Sequence, residues 1–192
     1  MRSKPLNTDS IKRGVKLPEA ELRGKRSLCL FISHSICSVS LSIDMKSAGP
    51  RIVSAALNLP SPPADNSATD PFIITVKKSI IAFLDGRIKD LSDLPIDLSF
   101  YTPFARQTLL AARSIPWGKA VSYAGLAEMA GNPGAARAAA SVMRNNPLPL
   151  IIPCHRVIRS DGSAGGFMGK REGREVELKV RLLAREGILL NK

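Results

Sequence analysis

Two helix starts, each a capping residue followed by proline, divide this chain into segments that differ in composition and residue pattern. Asp70-Pro71 and Thr102-Pro103 each combine a side-chain oxygen that can cap a helix with a proline at the first helical position. The first predicted helix ends at Asp85-Gly86 and the second near Arg113. The first also has apolar residues at every fourth position: Phe72, Val76, Ile80 and Leu84. Between the two helices, Asp90 to Phe100 is irregular and rich in Leu, Pro and Asp, so we expect a domain boundary there.

The part before the first helix indicates strands. Leu28 to Ile43 alternates Cys, Leu, Phe and Ser and predicts one or two strands. The first 25 or so residues are polar and rich in Lys and Arg, and we expect them to be poorly ordered. Leu59 to Asp70 holds three prolines and predicts a loop. The expected fold class is therefore α/β (α+β), with a small mixed N-terminal domain over residues 1–95 and a mainly helical C-terminal domain over residues 96–192.

Charge narrows the class of partner. The chain has 192 residues, 44% of them hydrophobic, and a net charge of +12. The hydrophobic fraction is high enough to form a core. The strongly basic charge favours a polyanionic partner, most commonly nucleic acid. No stretch of about 20 apolar residues exists, so we expect no contact with a membrane.

Three cysteines are too few for a disulfide framework, and we expect a reducing compartment, the cytoplasm or, in a eukaryote, the nucleus.

A pair of short helices is predicted after the second domain begins. Ser122 can cap a helix that contains Tyr123, Gly131 to Gly134 forms a turn, and Ala135 to Arg144 forms the second helix. Such a pair resembles a helix-turn-helix, although many helical pairs share the pattern. The alanine-rich face around Arg137 either packs in the core or approaches a groove closely, and the local sequence leaves both open.

An apolar, proline-rich segment precedes a cysteine, Cys154. Cys154 lies between Pro153 and His155, and a neighbouring imidazole can take the proton of a thiol. Neighbouring residues on a strand point to opposite faces, so a water or a turn would have to bridge the two side chains. For an isolated Cys-His dipeptide, a buried structural cysteine is the commoner interpretation.

The longer pattern around this dipeptide is specific. Asn146 to Ile158 (Asn-Pro-Leu-Pro-Leu-Ile-Ile-Pro-Cys-His-Arg-Val-Ile) closely resembles the active-site signature of the methylated-DNA–protein-cysteine methyltransferases, the alkylguanine-DNA alkyltransferases. The resemblance extends from about Asp93 to Ile188. It rests on further segments in the same order: Leu94–Leu98, Thr102–Phe104, Ile115–Lys119, Ser122–Tyr123, Gly131–Ala138, Gly166–Phe167 and Leu182–Gly187.

This resemblance implies a single-turnover transfer of an alkyl group from oxygen-6 of guanine to Cys154, after the damaged nucleotide is flipped from the minor groove. Whether oxygen-4 of thymine is also accepted stays open. His155 would act as base through a water, and Glu186 would orient His155. The remaining implied roles are contact with the flipped guanine by Tyr123, insertion of Arg137 into the base stack and bracing of the cysteine turn by Asn146. The resemblance also places Lys179 and Phe167 at the site.

The resemblance also implies a ribonuclease H-like N-terminal domain, degenerate here, a winged helix-turn-helix, and a monomer that uses no cofactor. The expected partner is double-stranded DNA that carries alkylated guanine. The chain departs from the family pattern between Gly169 and Leu182, where it is longer, and paired charges four residues apart favour a helix. Some family members bind zinc, but Cys29, His34 and Cys37 have an unusual spacing and are too few for a closed site, so we expect no metal.

Three other classes of protein fit parts of the pattern. An alkyltransferase-like protein binds damaged bases without transfer, but such proteins lack the reactive cysteine that Cys154 provides. A helix-turn-helix regulator that senses alkylation would prefer one operator sequence. A cysteine hydrolase would turn over many times.

Overall fold

The computed structural model describes residues 27–46, 49–57 and 70–191. The expectation for the first 25 residues, and nearly all of the loop predicted from Leu59, lie outside these described residues. The described chain is a mixed α/β protein, as expected.

The N-terminal part forms an antiparallel sheet. Strands β1 (Ser27–Ile32), β2 (Val39–Lys46) and β3 (Gly49–Leu57) pair in the order β1-β2-β3. The region predicted as one or two strands, Leu28 to Ile43, contains most of β1 and most of β2. Strand β3 was not predicted, because it begins with Gly-Pro and continues through small residues that carry little strand signal.

Helix α1 (Pro71–Leu84) covers this sheet and begins as the sequence predicts. Oδ1 of Asp70 accepts a hydrogen bond from the backbone N–H of Phe72 at 2.8 Å, which satisfies an amide that has no partner inside the helix. The inward face of α1 is fully buried at Val76 and Ile80 and packs against β1. This packing anchors the end of α1, whose Phe83 reaches the C-terminal part.

The irregular segment predicted between the two parts is confirmed, and it forms hydrogen bonds with both. The backbone N–H of Ile52 in β3 donates to Pro95 O at 2.9 Å, and Asp97 donates back to Ile52 O at 3.1 Å. From the other side, the Arg113 guanidinium donates to three carbonyls of the segment, those of Leu91, Ser92 and Leu94. Apolar residues of both parts belong to one core cluster, so the boundary near residue 95 stays a prediction.

The C-terminal part is mainly helical, as predicted. It contains α2 (Pro103–Arg113), α3 (Tyr123–Met129) and α4 (Ala136–Arg144), which pack on one another. Ser122 caps α3 by accepting from Gly125 N at 3.0 Å. Gly131 and Gly134 both have positive φ in the turn that joins α3 to α4. The pair of helices expected from the sequence is therefore confirmed.

The rest of this part carries the candidate site. A 3₁₀ turn, Cys154–Arg156, leads into β5 (Val157–Ile158), which pairs in parallel with β4 (Val121–Ser122). Helix α5 (Arg174–Arg185) packs on the 3₁₀ turn and confirms the helix that charge spacing favoured. Within the described ranges, no helix is both long and apolar enough to cross a bilayer.

Candidate active site

Cys154 is brought to its position by a buried turn that Asn146 braces. The Asn146 side chain donates to Ile152 O at 2.9 Å and accepts from Leu148 N at 3.0 Å, which closes a turn between Asn146 and Ile152, six residues apart in the chain. Leu150 in this turn adopts φ +73, a conformation that costs energy outside glycine. Cys154 emerges from the turn with 4% of its surface exposed. The geometry therefore holds a single thiol at the edge of the core.

Cys154 and His155 lie in the 3₁₀ turn rather than on a strand, so the alternation of faces considered from the sequence does not apply to them. Nε2 of His155 lies 2.8 Å from Oε1 of Glu186, and both side chains are buried. Nδ1 of His155 is also buried and has no hydrogen-bond partner among the described residues. With Nε2 donating to the carboxylate, the lone pair of the imidazole is on Nδ1.

Arg156 is a buried residue of this site that the sequence argument did not single out. Its guanidinium donates to Glu186 through Nε at 2.9 Å and Nη2 at 3.0 Å, and through Nη1 to Ile115 O at 2.6 Å. The Gly118 N–H adds a bond to Glu186 Oε2 at 3.2 Å. A signal was available: a charged residue at the end of a buried apolar run needs a partner of opposite charge.

These contacts keep the Glu186 carboxylate ionised. Burial alone would raise the pKa of Glu186, but hydrogen bonds from His155 and Arg156 outweigh it and lower the pKa below the usual value. Burial lowers the pKa of His155, although Glu186 opposes the shift. At neutral pH the set is therefore a neutral imidazole held by a carboxylate that Arg156 neutralises.

Aromatic packing connects this set to the N-terminal part. The Trp117 ring lies 5.9 Å from the Arg156 guanidinium carbon, and Phe83 of α1 meets Trp117 edge-on at 5.5 Å between centroids. The orientation of Arg156 thus depends on packing from both parts of the chain.

Lys179 lies behind the cysteine with no exposed surface. Its Nζ donates to Val157 O at 2.5 Å and to Gly166 O at 3.3 Å. Burial lowers the pKa of Lys179 to about 8. Burial also raises the pKa of the Cys154 thiol, and the Asn146 side chain and the charge of Lys179 only partly offset it. The resting cysteine is therefore a neutral thiol rather than a free thiolate.

A cavity of about 790 Å³ opens onto Cys154. Tyr123, Arg137 and Phe167 line it together with the cysteine, whereas His155 and Glu186 do not reach it. Burial, with the nearby Cys154, raises the pKa of Tyr123, so the phenol keeps its proton at neutral pH. The structure thus brings the residues expected from the sequence together in two layers, one facing the cavity and one behind the thiol.

No group of three His, Cys, Asp or Glu side chains suited to a metal occurs among the described residues. His34 lies instead with Nε2 3.0 Å from Asp85 Oδ1, and its Nδ1 accepts from Ile36 N. The expectation that the protein uses no metal and no cofactor stays a prediction.

Comparisons with known proteins identify the family of this chain. Residues 103–188 match the family model described as 6-O-methylguanine DNA methyltransferase, DNA binding domain. The methylated-DNA–protein-cysteine methyltransferase of Methanothermobacter thermautotrophicus is 43% identical over 126 residues, which are 65% of this chain and 68% of that protein. The bifunctional transcriptional activator and DNA repair enzyme Ada of Escherichia coli is 37% identical over 172 residues, 90% of this chain but 45% of Ada. The crystal structure of the Mycobacterium tuberculosis O6-methylguanine methyltransferase has a TM-score of 0.66 and 28% identity, covering 83% of this chain and 92% of that one.

Proposed function

Because this chain belongs to the family of methylated-DNA–protein-cysteine methyltransferases, we propose that it repairs DNA by moving an alkyl group from oxygen-6 of guanine to its own Cys154. The observation that carries the proposal is the position of this thiol: it faces a cavity of about 790 Å³ and is backed by a buried His-Glu pair. Each molecule reacts once, because the thioether it forms is stable.

The proposed transfer begins with the proton of Cys154. The unpartnered Nδ1 of His155 takes this proton through a bridging water, and Glu186 and Arg156 hold the imidazole in the tautomer that leaves Nδ1 free. Sulfur then attacks the alkyl carbon, the bond from that carbon to oxygen-6 breaks, and its electron pair passes to guanine. Tyr123 contacts the base at the cavity and helps to neutralise it as it leaves.

Access to the thiol requires a flipped nucleotide, because guanine oxygen-6 cannot reach a buried sulfur while the base is stacked. We propose that Arg137, exposed on α4 at the cavity, enters the base stack and fills the gap. In this account the partner is double-stranded DNA, which the net charge of +12 supports, and the protein acts as a monomer. We further propose a reducing compartment, the cytoplasm or, in a eukaryote, the nucleus, in which the Cys154 thiol stays available for reaction.

The decisive experiment is a mass measurement on the full chain after incubation with duplex DNA carrying O6-methylguanine. We expect one added methyl group, on Cys154, with no turnover beyond one equivalent, and none with Cys154→Ala. Retention of DNA without a mass change would instead indicate a binding module, and a sequence-specific operator preference would indicate a regulator. Multiple turnovers on an ester or amide would indicate a hydrolase.

The arginine is tested by comparing two substrates. Arg137→Ala should slow methyl transfer from duplex DNA on the order of tenfold to a thousandfold, because an unfilled gap in the stack costs a few kcal/mol. Transfer from the free methylated base, which needs no flipping, should be affected far less. Arg106→Ala on α2, which removes the same charge outside the cavity lining, is the control. Equal slowing on both substrates would make Arg137 a structural residue.

A further inference from the structure

The cavity that holds Cys154 is lined by five positively charged side chains and by no carboxylate: Arg137, Arg144, Arg159, Lys170 and Arg171. We name these five the basic rim. Of these five side chains, only Arg159 has an acidic partner within the described part of the chain, Asp161 at 3.4 Å, and both are more than half exposed, so this pair is weak. An alkylated guanine base is neutral and does not require this charge. The basic rim therefore points to an anionic group that arrives with the base.

Lys170 and Arg171 are presented by a well-anchored hairpin. The N–H of Phe167 donates to Lys170 O, and the N–H of Lys170 donates to Phe167 O, both at 2.9 Å. The two residues between them, Met168 and Gly169, have positive φ (48° and 82°), as the tight turns of two-residue hairpins need. Phe167 is 3% exposed and fixes the base of the hairpin in the core. Only backbone atoms of Lys170 close the hairpin, so removal of its side chain leaves these bonds in place.

This hairpin lines the cavity together with α4, and the two elements approach each other at Arg144. Gly169 lies close to the Arg144 guanidinium, since a Cβ at this glycine would be 3.9 Å from Nε of Arg144. Lys170 and Arg171 also begin the stretch that is longer than the family pattern, so the resemblance assigns them no role. They are exposed, and no salt bridge holds either of them among the described residues.

We propose that Lys170 and Arg171 bind the phosphodiester backbone beside the flipped nucleotide, in the cavity that they line together with Arg137 and Arg144 of α4. A nucleotide in the cavity stays attached to a phosphate on each side, and both phosphates must pass the mouth. Cations of the hairpin and of α4 can then contact the strand on either side of the lesion. This inference rests on the proposed function, because it requires that a nucleotide of a DNA strand enters the cavity.

The first test measures how duplex binding depends on salt, with Lys170→Ala/Arg171→Ala in the full chain. Each lost phosphate contact lowers the slope of log affinity against log salt by about 0.9, so we expect a reduction of about 2. Affinity at low salt should fall roughly tenfold to a hundredfold. The control is Lys77→Ala/Lys78→Ala on α1, which removes the same charge from exposed residues outside the cavity lining and should change the slope by much less.

The second test identifies the two phosphates. A neutral methylphosphonate replaces, one at a time, the first and second linkages on the 5′ and on the 3′ side of O6-methylguanine in the same strand. At two of these positions it should weaken binding of the unchanged protein strongly and weaken binding of Lys170→Ala/Arg171→Ala little further. A methylphosphonate on the opposite strand should weaken both proteins by the same factor.

Equal slopes for the two double variants, or additive losses at every methylphosphonate position, would overturn the proposal. A loss of methyl transfer from the free base as large as the loss from duplex DNA would also overturn it, because the hairpin would then act only on the shape of the cavity. Failure of the proposed function is recognised separately, since the unchanged protein would then transfer no methyl group to Cys154 from either substrate.

Discussion

The buried pair of Arg156 and Glu186 allows the sharpest quantitative prediction. Their side chains are 5% and 2% exposed, and Nε and Nη2 of Arg156 both donate to the carboxylate. Removal of one partner leaves a buried charge unpaired, which costs about 3–5 kcal/mol. We therefore expect Arg156→Met and Glu186→Gln each to lower the free energy of unfolding by about that amount.

The double variant separates the interaction energy of the Arg156–Glu186 pair from the cost of each single substitution. With both charges removed, no unpaired charge remains, so Arg156→Met/Glu186→Gln should be less destabilised than the sum of the single variants by about 2–3 kcal/mol. Urea unfolding of the full chain, followed by circular dichroism, measures all four proteins. Because the folded pKa of Glu186 is lowered, the stabilisation is present above the unfolded value of about 4.3 and is lost as pH falls through the lower folded value. Single losses below about 1 kcal/mol, or strict additivity, would refute this account of the site.

Three further predictions follow from local geometry. Because burial lowers the pKa of His155, the single-turnover transfer rate should stay constant as pH falls through about 6.5, and an acid midpoint at or above that value would contradict this. Gly166→Ala would place a Cβ 2.7 Å from Lys170 O, so we expect it to open the hairpin and to slow methyl transfer. Gly131→Ala is the control, because a Cβ there meets nothing within 4 Å. At φ +72 it should lower the free energy of unfolding in urea by only about 1–2 kcal/mol. Equal effects of the two glycine variants on transfer would count against the hairpin. Asp70→Ala should lower the free energy of unfolding by about 1 kcal/mol through loss of the α1 cap, and no measurable change would show that water replaces it.

Much of the helical structure could be predicted because its signals are local. The caps at Asp70, Thr102 and Ser122 each accept a hydrogen bond from an amide two or three residues further on, so the residues that decide the helix start lie next to it in the chain. Strand β3 gave no comparable signal. It owes its conformation to pairing with β2, and small residues such as Ala55 and Ala56 are compatible with many conformations.

The candidate site also contains residues that could be recognised from the local sequence and residues that only the fold brings together. The run that ends in Cys154 and His155 is contiguous, so its residue types and spacing could be recognised without knowledge of the fold. The three hydrogen-bonding groups around Glu186 are distant from it in the chain: His155, Arg156 and the Gly118 N–H lie 31, 30 and 68 residues away. Their convergence requires α5, the 3₁₀ turn and the loop before β4 to be packed together.

By itself, the amino-acid sequence determined the helix starts, the basic character and the cysteine with its neighbouring imidazole, because each depends on residue types within a few positions of one another. Only the tertiary structure decided that Arg156 neutralises Glu186, that Nδ1 of His155 has no hydrogen-bond partner among the described residues, and that Lys170 and Arg171 line the same cavity as Cys154. The physical reason is that burial and charge pairing act through space. Their strength depends on which distant segments exclude water from a group, and that is settled when the chain is folded.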